Sequence, residues 1–428
     1  MTTLIVIGLA VLFFTLIMVS IALHEVGHLV PAKIFGVKVT QYFVGFGKTL
    51  WSRKRGETEY GIKAIPLGGY VKLVGMYPPE RRTGEPKGWL TRMADQARSY
   101  EYEDIRPQDS GKLFHEKAVW QKLIVMFGGP AMNLMLAFLL FLGINLVHGT
   151  YQPQLVVSSV SDCIVPAGRE PAVCQPEDPP TPARQAGIQE GDEIASFNGR
   201  QLDSWDQMSD MIRDNSDGVA VLEVRRDGEL VTLPQVSTVI NHVPNRLDPT
   251  KMVQAGFLGV SPAQELTRTG PVGTAVQMWE MTRMSAVALA SFPVRIWNVA
   301  VDMVTGQPRD VNSPLSIVGA SRFAGELGVT EAIPEADRVA TFVSLLASVN
   351  LFVALLNLVP LLPLDGGHIA GALWEGIRRF FARLRGRGDP GPVDTAKMLP
   401  VAYVVGGFLL LGGVVLIIAD IFTPIRLF

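Results

Sequence analysis

Residues 21–31 read IALHEVGHLVP, and residues 1–20, MTTLIVIGLAVLFFTLIMVS, carry no charged side chain. An uncharged run of that length crosses a bilayer as a helix. It lacks the basic start and short apolar core of a secretory signal, so it reads as a membrane span. His24-Glu25-x-x-His28 lies near its end. Residues four apart share one helix face, so both imidazoles can reach a single ion, and the adjacent carboxylate can serve as a base toward water. Ionisable groups this deep are costly in hydrocarbon, which makes function the first reading of them.

Outward from this motif, three further apolar stretches are long enough to span. They predict a polytopic α-helical membrane protein with about four transmembrane helices, at 1–31, 118–148, 341–364 and 399–421. A fifth apolar segment, 275–305, is broken by Arg283 and Arg295. Only MSAVALASFPV lies uncharged between nearby breaks, so an amphipathic interfacial helix is expected within a linker, 241–340. The segment 32–117 contains GETEYGIKAIPLGGYVKLVG at 56–75, whose alternation and Gly68-Gly69 pair predict a β-hairpin or meander turning at those glycines. The polar stretch 77–112 is expected to be a loop of limited order, and 365–398 a second loop. Between the second span and the linker, 154–240 predicts a compact β-rich domain, with turns at Gly191-Asp192, Asn198-Gly199 and Asp227-Gly228.

The net charge of −2 conceals an asymmetry. Basic residues outnumber acidic ones 16 to 10 in 31–118 and 6 to 4 in 365–398, whereas 149–340 has 14 basic against 24 acidic. Basic residues near span ends favour the cytoplasmic side. Segments 32–117 and 365–398 are therefore expected inside, with 154–240 across the membrane. Positive charge so distributed calls for no nucleic acid. Cys163 and Cys174 fall in the outer segment, where either a local disulfide or two free thiols fits.

A catalytic zinc takes three protein ligands and keeps one position open. Asp365, in NLVPLLPLDGGH at 357–368, ends the third long span. If one full span separates the first from the third, the two run parallel and their C-terminal ends emerge on the same face. His24, His28 and Asp365 can then meet. His368 is a competing ligand, while His115, His148 and His242 lie in loops or the outer segment.

Together, the H-E-x-x-H, the N-x-x-P-x-x-x-L-D-G at 357–366 and the A-G-I-x-x-G-D-x-I-x-x-x-N-G run at 186–199 carry a resemblance. The last resembles a PDZ domain, and the whole chain resembles the site-2 protease family of intramembrane zinc metalloproteases, RseP type. GFG (45–47), PLGGYVKL (66–73), FGGPAMN (127–133) and SPLSIVG (313–319) also look like family stretches. The RseP type carries two PDZ domains in tandem and this chain has room for one, so it resembles a single-PDZ branch. The resemblance implies Zn²⁺ held by His24, His28 and Asp365, with Glu25 as the catalytic base. It implies a membrane-associated β-hairpin whose Gly68, Gly69, Tyr70 and Val71 bind substrate, together with Asn357 and Pro360. It also implies a bacterial inner-membrane location and single-pass substrates such as anti-sigma factors or signal-peptide remnants, cut after an upstream site-1-type protease. A catalytically inactive PDZ scaffold and a metal transporter are the alternative classes. The first would lack a member of the quartet His24, Glu25, His28 and Asp365, and the second would spread its polar groups along several spans.

Overall fold

The computed structural model describes residues 2–79, 105–165, 173–248 and 251–425. Most of the expected loop 77–112 lies outside the described residues. The chain forms two compact units, one of residues 1–143 with 275–428 and one of residues 144–274.

In the first unit, α1 (Thr2–Ile34) carries the H-E-x-x-H motif. It is followed by β1 (Val39–Arg55) and β2 (Thr58–Leu73). These form one long antiparallel hairpin, from Val39↔Leu73 to Arg55↔Thr58. Its tight turn is therefore at Gly56-Glu57, not at Gly68-Gly69 as the sequence reading expects. The hairpin is instead folded double at its waist, where Gly45, Gly47 and Gly68 have φ of 92°, 82° and 148°. Such backbone is open mainly to glycine. The fold lets Tyr42 pair with Val71 on one side and Tyr60 on the other. The arms of 56–75 thus meet across β1, a strand masked in the sequence by the charged run SRKR at 52–55.

Helix α2 (Val119–Val147) crosses α1 closely. A Cβ on Gly27 would lie 2.3 Å from the Gly128 carbonyl oxygen, and one on Gly128 would lie 2.0 Å from that of Gly27. Small residues are how helices approach in lipid, where water supplies no force between them. Pro31 has no N–H to occupy the Gly27 carbonyl, and the Pro31 ring packs beside Gly128.

The remaining helices of this unit are α5 (Pro271–Thr305, shared with the second unit), α6 (Ile317–Leu327), α7 (Glu335–Asn357), α8 (Asp365–Leu384) and α9 (Leu399–Phe422). Helix α6 packs Ala320 and Ala324 against Phe13 and Ile17 of α1. Asn350 of α7 donates to the Ser20 hydroxyl of α1 at 3.2 Å. A buried Arg309–Asp420 pair at 2.6 Å ties α9 to the segment ahead of α6, and Asp420 also accepts from the Ser316 N–H.

By length and composition, five helices among the described residues could cross a membrane: α1, α2, α5, α7 and the segment 395–422 that contains α9. The chain is thus a polytopic helical membrane protein. Helix α5, expected as an interfacial helix, meets the same criterion of length and composition because its 35 residues include an apolar window despite Arg283 and Arg295. Two boundaries also shift. Helix α7 ends at Asn357 rather than 364, since Pro360 and Pro363 cannot donate to a continuing helix. The expected loop 365–398 contains the 20-residue helix α8.

Lys122 of α2 and Glu375 of α8 form a buried pair at 2.9 Å. Arg379 and the Val393 N–H also hold the Glu375 carboxylate. Removing one member of a buried pair leaves its partner uncompensated. Lys122→Met is expected to cost about 3 kcal/mol, the low end of the range because two donors remain. Thermal unfolding in detergent should show a lower Tm, partly restored by adding Glu375→Gln; an unchanged Tm would contradict the pairing.

The second unit contains β3 (Thr150–Val160), α3 (Pro182–Ala186), β4 (Glu193–Phe197), β5 (Arg200–Gln201) and α4 (Trp205–Asp214). After these come β6 (Val219–Ala220), β7 (Leu222–Arg226), β8 (Glu229–Thr232), β9 (Val236–Ser237), β10 (Val239–Pro244), β11 (Met252–Phe257) and β12 (Val260–Thr267). The main sheet runs β12-β3-β4-β7-β8 with β5 on β4, while β6–β9 and β10–β11 form ribbons. Because β12 pairs with β3, the unit extends to residue 267, beyond the expected limit of 240. The turns at Asn198-Gly199 and Asp227-Gly228 take positive φ at both residues, as two-residue hairpin turns require. Ile194, Leu222 and Met208 form its buried centre. Cys163 and Cys174 are disulfide-bonded, which resolves the choice left open by the sequence.

Candidate metal centre

His24 and His28 point from one face of α1 and are both buried. Asp365 approaches them from the first residue of α8, where the irregular Leu358–Leu364 stretch has turned the chain. Its Oδ2 lies 3.3 Å from the Nε2 of each histidine. The two Nε2 atoms are 3.2 Å apart. The three ligand atoms converge, and His368 is not among them.

These distances test whether zinc fits. With bonds of about 2.0–2.1 Å, a tetrahedral zinc separates its ligand atoms by about 3.3 Å. The triangle matches that spacing. Two neutral acceptors and one carboxylate also form a donor set suited to zinc. A carbonyl can only accept, so His28 Nδ1 carries the proton it donates to Val125 O at 2.8 Å. That fixes the tautomer and leaves the Nε2 lone pair facing the triangle. Asp365 Oδ2 is buried and has no hydrogen-bond partner. Coordination would satisfy it.

Gly129 of α2 forms the wall beside the imidazoles. A Cβ there would lie 2.2 Å from His28 Nε2 and 2.7 Å from His24 Nε2. The FGGPAMN stretch therefore both lets α2 cross α1 and leaves space at the ligand atoms. From the sequence, FGGPAMN reads as a family stretch without Gly129 being assigned to the site; a glycine beyond the pair needed for the crossing is the available signal.

Glu25 follows His24 in the motif and is adjacent to this triangle. A Cβ on Gly69 would lie 3.1 Å from Glu25 Cγ, and the Tyr42 hydroxyl donates to Ala22 O at 2.9 Å. The folded hairpin therefore rests on α1 at the motif. Gly69 and Val71 are brought to Glu25, and Tyr70 stacks on Phe43 and Phe46. Gly68 sits at the waist against Phe46. Asn357 is half-buried at the end of α7, and Pro360 is exposed in the turn after it.

An H-E-x-x-H helix with a distant aspartate brought to both histidines, within a bundle of apolar helices, has the residues and geometry that a membrane metallopeptidase needs. The chain belongs to Peptidase family M50, whose model matches residues 12–387. It is 35% identical over 439 residues to the zinc metalloprotease Rip1 of Mycobacterium tuberculosis, covering 98% of each chain. It is 28% identical over 380 residues to the metalloprotease MmpA of Caulobacter vibrioides, covering 84% of this chain and 85% of the relative. Against the zinc metalloprotease RasP of Shouchella clausii the identity is 25% over 421 residues, covering 86% and 90%. The chain is a zinc metalloprotease of the site-2 protease type, a family that acts in regulated intramembrane proteolysis on membrane-protein substrates.

Proposed function

We propose that His24, His28 and Asp365 hold the zinc, that Glu25 is the catalytic base, and that the substrate is a single transmembrane segment. The observation that carries this reading is the match between the ligand triangle and a tetrahedral zinc, with Glu25 alongside. Zinc, when bound, supplies a Lewis acid and acidifies water at neutral pH. Glu25 takes the proton of the attacking water and passes it to the departing amine. The hairpin at Gly69, packed on the Glu25 side chain, would keep the carboxylate in place for both transfers.

A membrane helix hides its peptide bonds in its own hydrogen bonds, so cleavage requires replacement partners. The edge of β2 at 69–73 supports such a role, since in the described pairing it bonds to β1 on one side. An unwound substrate would add there as a strand, running past Glu25. Asn357 would hold its backbone through the side-chain amide, and Pro360 would shape the turn beside it.

The convergence of α1 with the end of α7 also supports a topology of four crossings. A single crossing between them makes the two helices parallel, which leaves α5 lying partly within one leaflet. Its contacts agree, with Ile296 and Val299 packed on Leu416 and Ala419 of α9. The basic segments support a site toward the cytoplasm of a bacterial inner membrane. The second unit lies outside as a PDZ-like domain that admits substrates already trimmed by an upstream site-1-type protease; anti-sigma factors and signal-peptide remnants are candidates. An inactive scaffold or a transporter does not account for the zinc-protease family membership.

The test is cleavage of a single-pass protein in proteoliposomes, read by intact mass. A cut within the apolar segment, abolished by chelation and restored by zinc, is expected. A cut confined to water-soluble flanks would contradict the reading.

A further inference from the structure

Helix α8 has a use beyond the metal centre. Its inner face is buried through Gly366, Gly367, Ala372 and Glu375. The opposite face exposes Leu373, Trp374, Ile377, Phe380, Phe381 and Leu384, with Phe380 and Leu384 60% and 66% exposed. Their spacing of three and four residues forms one continuous apolar stripe. Arg383 lies toward one edge and Arg378 toward the other, as the helical repeat places them, and Arg385 and Arg387 follow the helix end at Leu384. An exposed apolar stripe between arginines is the pattern of a helix lying in a membrane interface.

At the C-terminal end the stripe opens into a cavity of about 410 Å³. Arg378, Arg385 and Arg387 line it together with Trp374, Ile377 and Phe381, and no carboxylate among the described residues does. Arg378 donates to Pro390 O at 3.3 Å, and Arg385 lies 5.8 Å over the Phe381 ring. The nearby acids are engaged elsewhere: Glu375 with Lys122, and Asp389 with Arg379. The cavity is thus lined by guanidinium groups together with aromatic and aliphatic side chains, beside a helix that begins where a span ends.

We propose that this cavity binds the headgroup of an anionic phospholipid whose acyl chains cover the α8 stripe. Guanidinium groups match phosphate in geometry as well as charge. A neutral lipid or a hydrophobic protein partner would account for the stripe but leave three arginines without a counter-charge. A free phosphate would account for the arginines but not the stripe. The proposal is independent of the assignment of the zinc ligands.

The experiment uses the delipidated full chain and native mass spectrometry with added phosphatidylglycerol or phosphatidylcholine. Wild type is expected to prefer phosphatidylglycerol by at least about tenfold, given the attraction of each basic residue for anionic lipid. R378Q/R385Q/R387Q should lose that preference, while R378K/R385K/R387K should keep most of it; zinc content should be unchanged in both. Free glycerol phosphate should not compete. The protein has no free cysteine among the described residues, so a Phe380→Cys label reports on the stripe, and its emission should shift on entering phosphatidylglycerol bilayers. Equal preference in wild type and the glutamine variant, or full competition by glycerol phosphate, would overturn the proposal. So would a label that stays in water until a second copy of the chain is added.

Discussion

Glu25→Gln is expected to retain one zinc per chain and to lose peptide hydrolysis by about 10³-fold, within the range usual for removing a positioned base. The amide is nearly isosteric with the carboxylate and can pack against Gly69 in the same way. The hairpin should therefore remain on α1 and the ligand triangle should not move. What is lost is the ability to take up and release a proton. Zinc analysis and single-turnover cleavage of the same preparation separate the two effects. The variant should also hold uncut substrate, making it a trap in native membranes. Activity near that of wild type would remove Glu25 from the chemistry, and loss of zinc would make it part of the metal's support.

Gly129→Ala should be as damaging through a different cause. Its added methyl would lie 2.2 Å from His28 Nε2 and 2.7 Å from both His24 Nε2 and Cε1. Those contacts are far inside van der Waals separation, and the α1–α2 crossing leaves little room to retreat because Gly27 and Gly128 are already in contact through their backbones. The imidazoles must swing away from Asp365. Zinc content is expected to fall well below one per chain, with activity falling in parallel. Gly143→Ala, on the same helix with open space at its Cβ, controls for glycine replacement in general and should keep both. A Gly129→Ala protein with full zinc and full activity would show that the wall is not where the geometry puts it.

Much of the centre was legible because it is written in local patterns. The i, i+4 histidines define a shared face, and the uncharged run ahead of them sets their depth. Asp365 required one further step, counting crossings between two spans. Several features were not legible, each for a physical reason. The strand at 39–55 alternates poorly and ends in charge; its pairing comes from the glycine-folded waist, a tertiary effect. Strand β12 lies far along the chain from β3, and non-local pairing leaves no mark within a short window. Helix α8 was obscured by composition: six exposed apolar residues in a segment with six basic and four acidic side chains read as a loop until their spacing is considered. The role of Gly129 depends on which helix crosses α1, which sequence spacing does not specify.

Zinc K-edge X-ray absorption of the purified full-length protein addresses the metal centre most directly. His24 and His28 joined by Asp365 predict a spectrum of two imidazoles plus oxygen, with bonds of about 2.0–2.1 Å. A third imidazole would transfer the carboxylate's place to His368, and absence of stoichiometric zinc would contradict the centre itself.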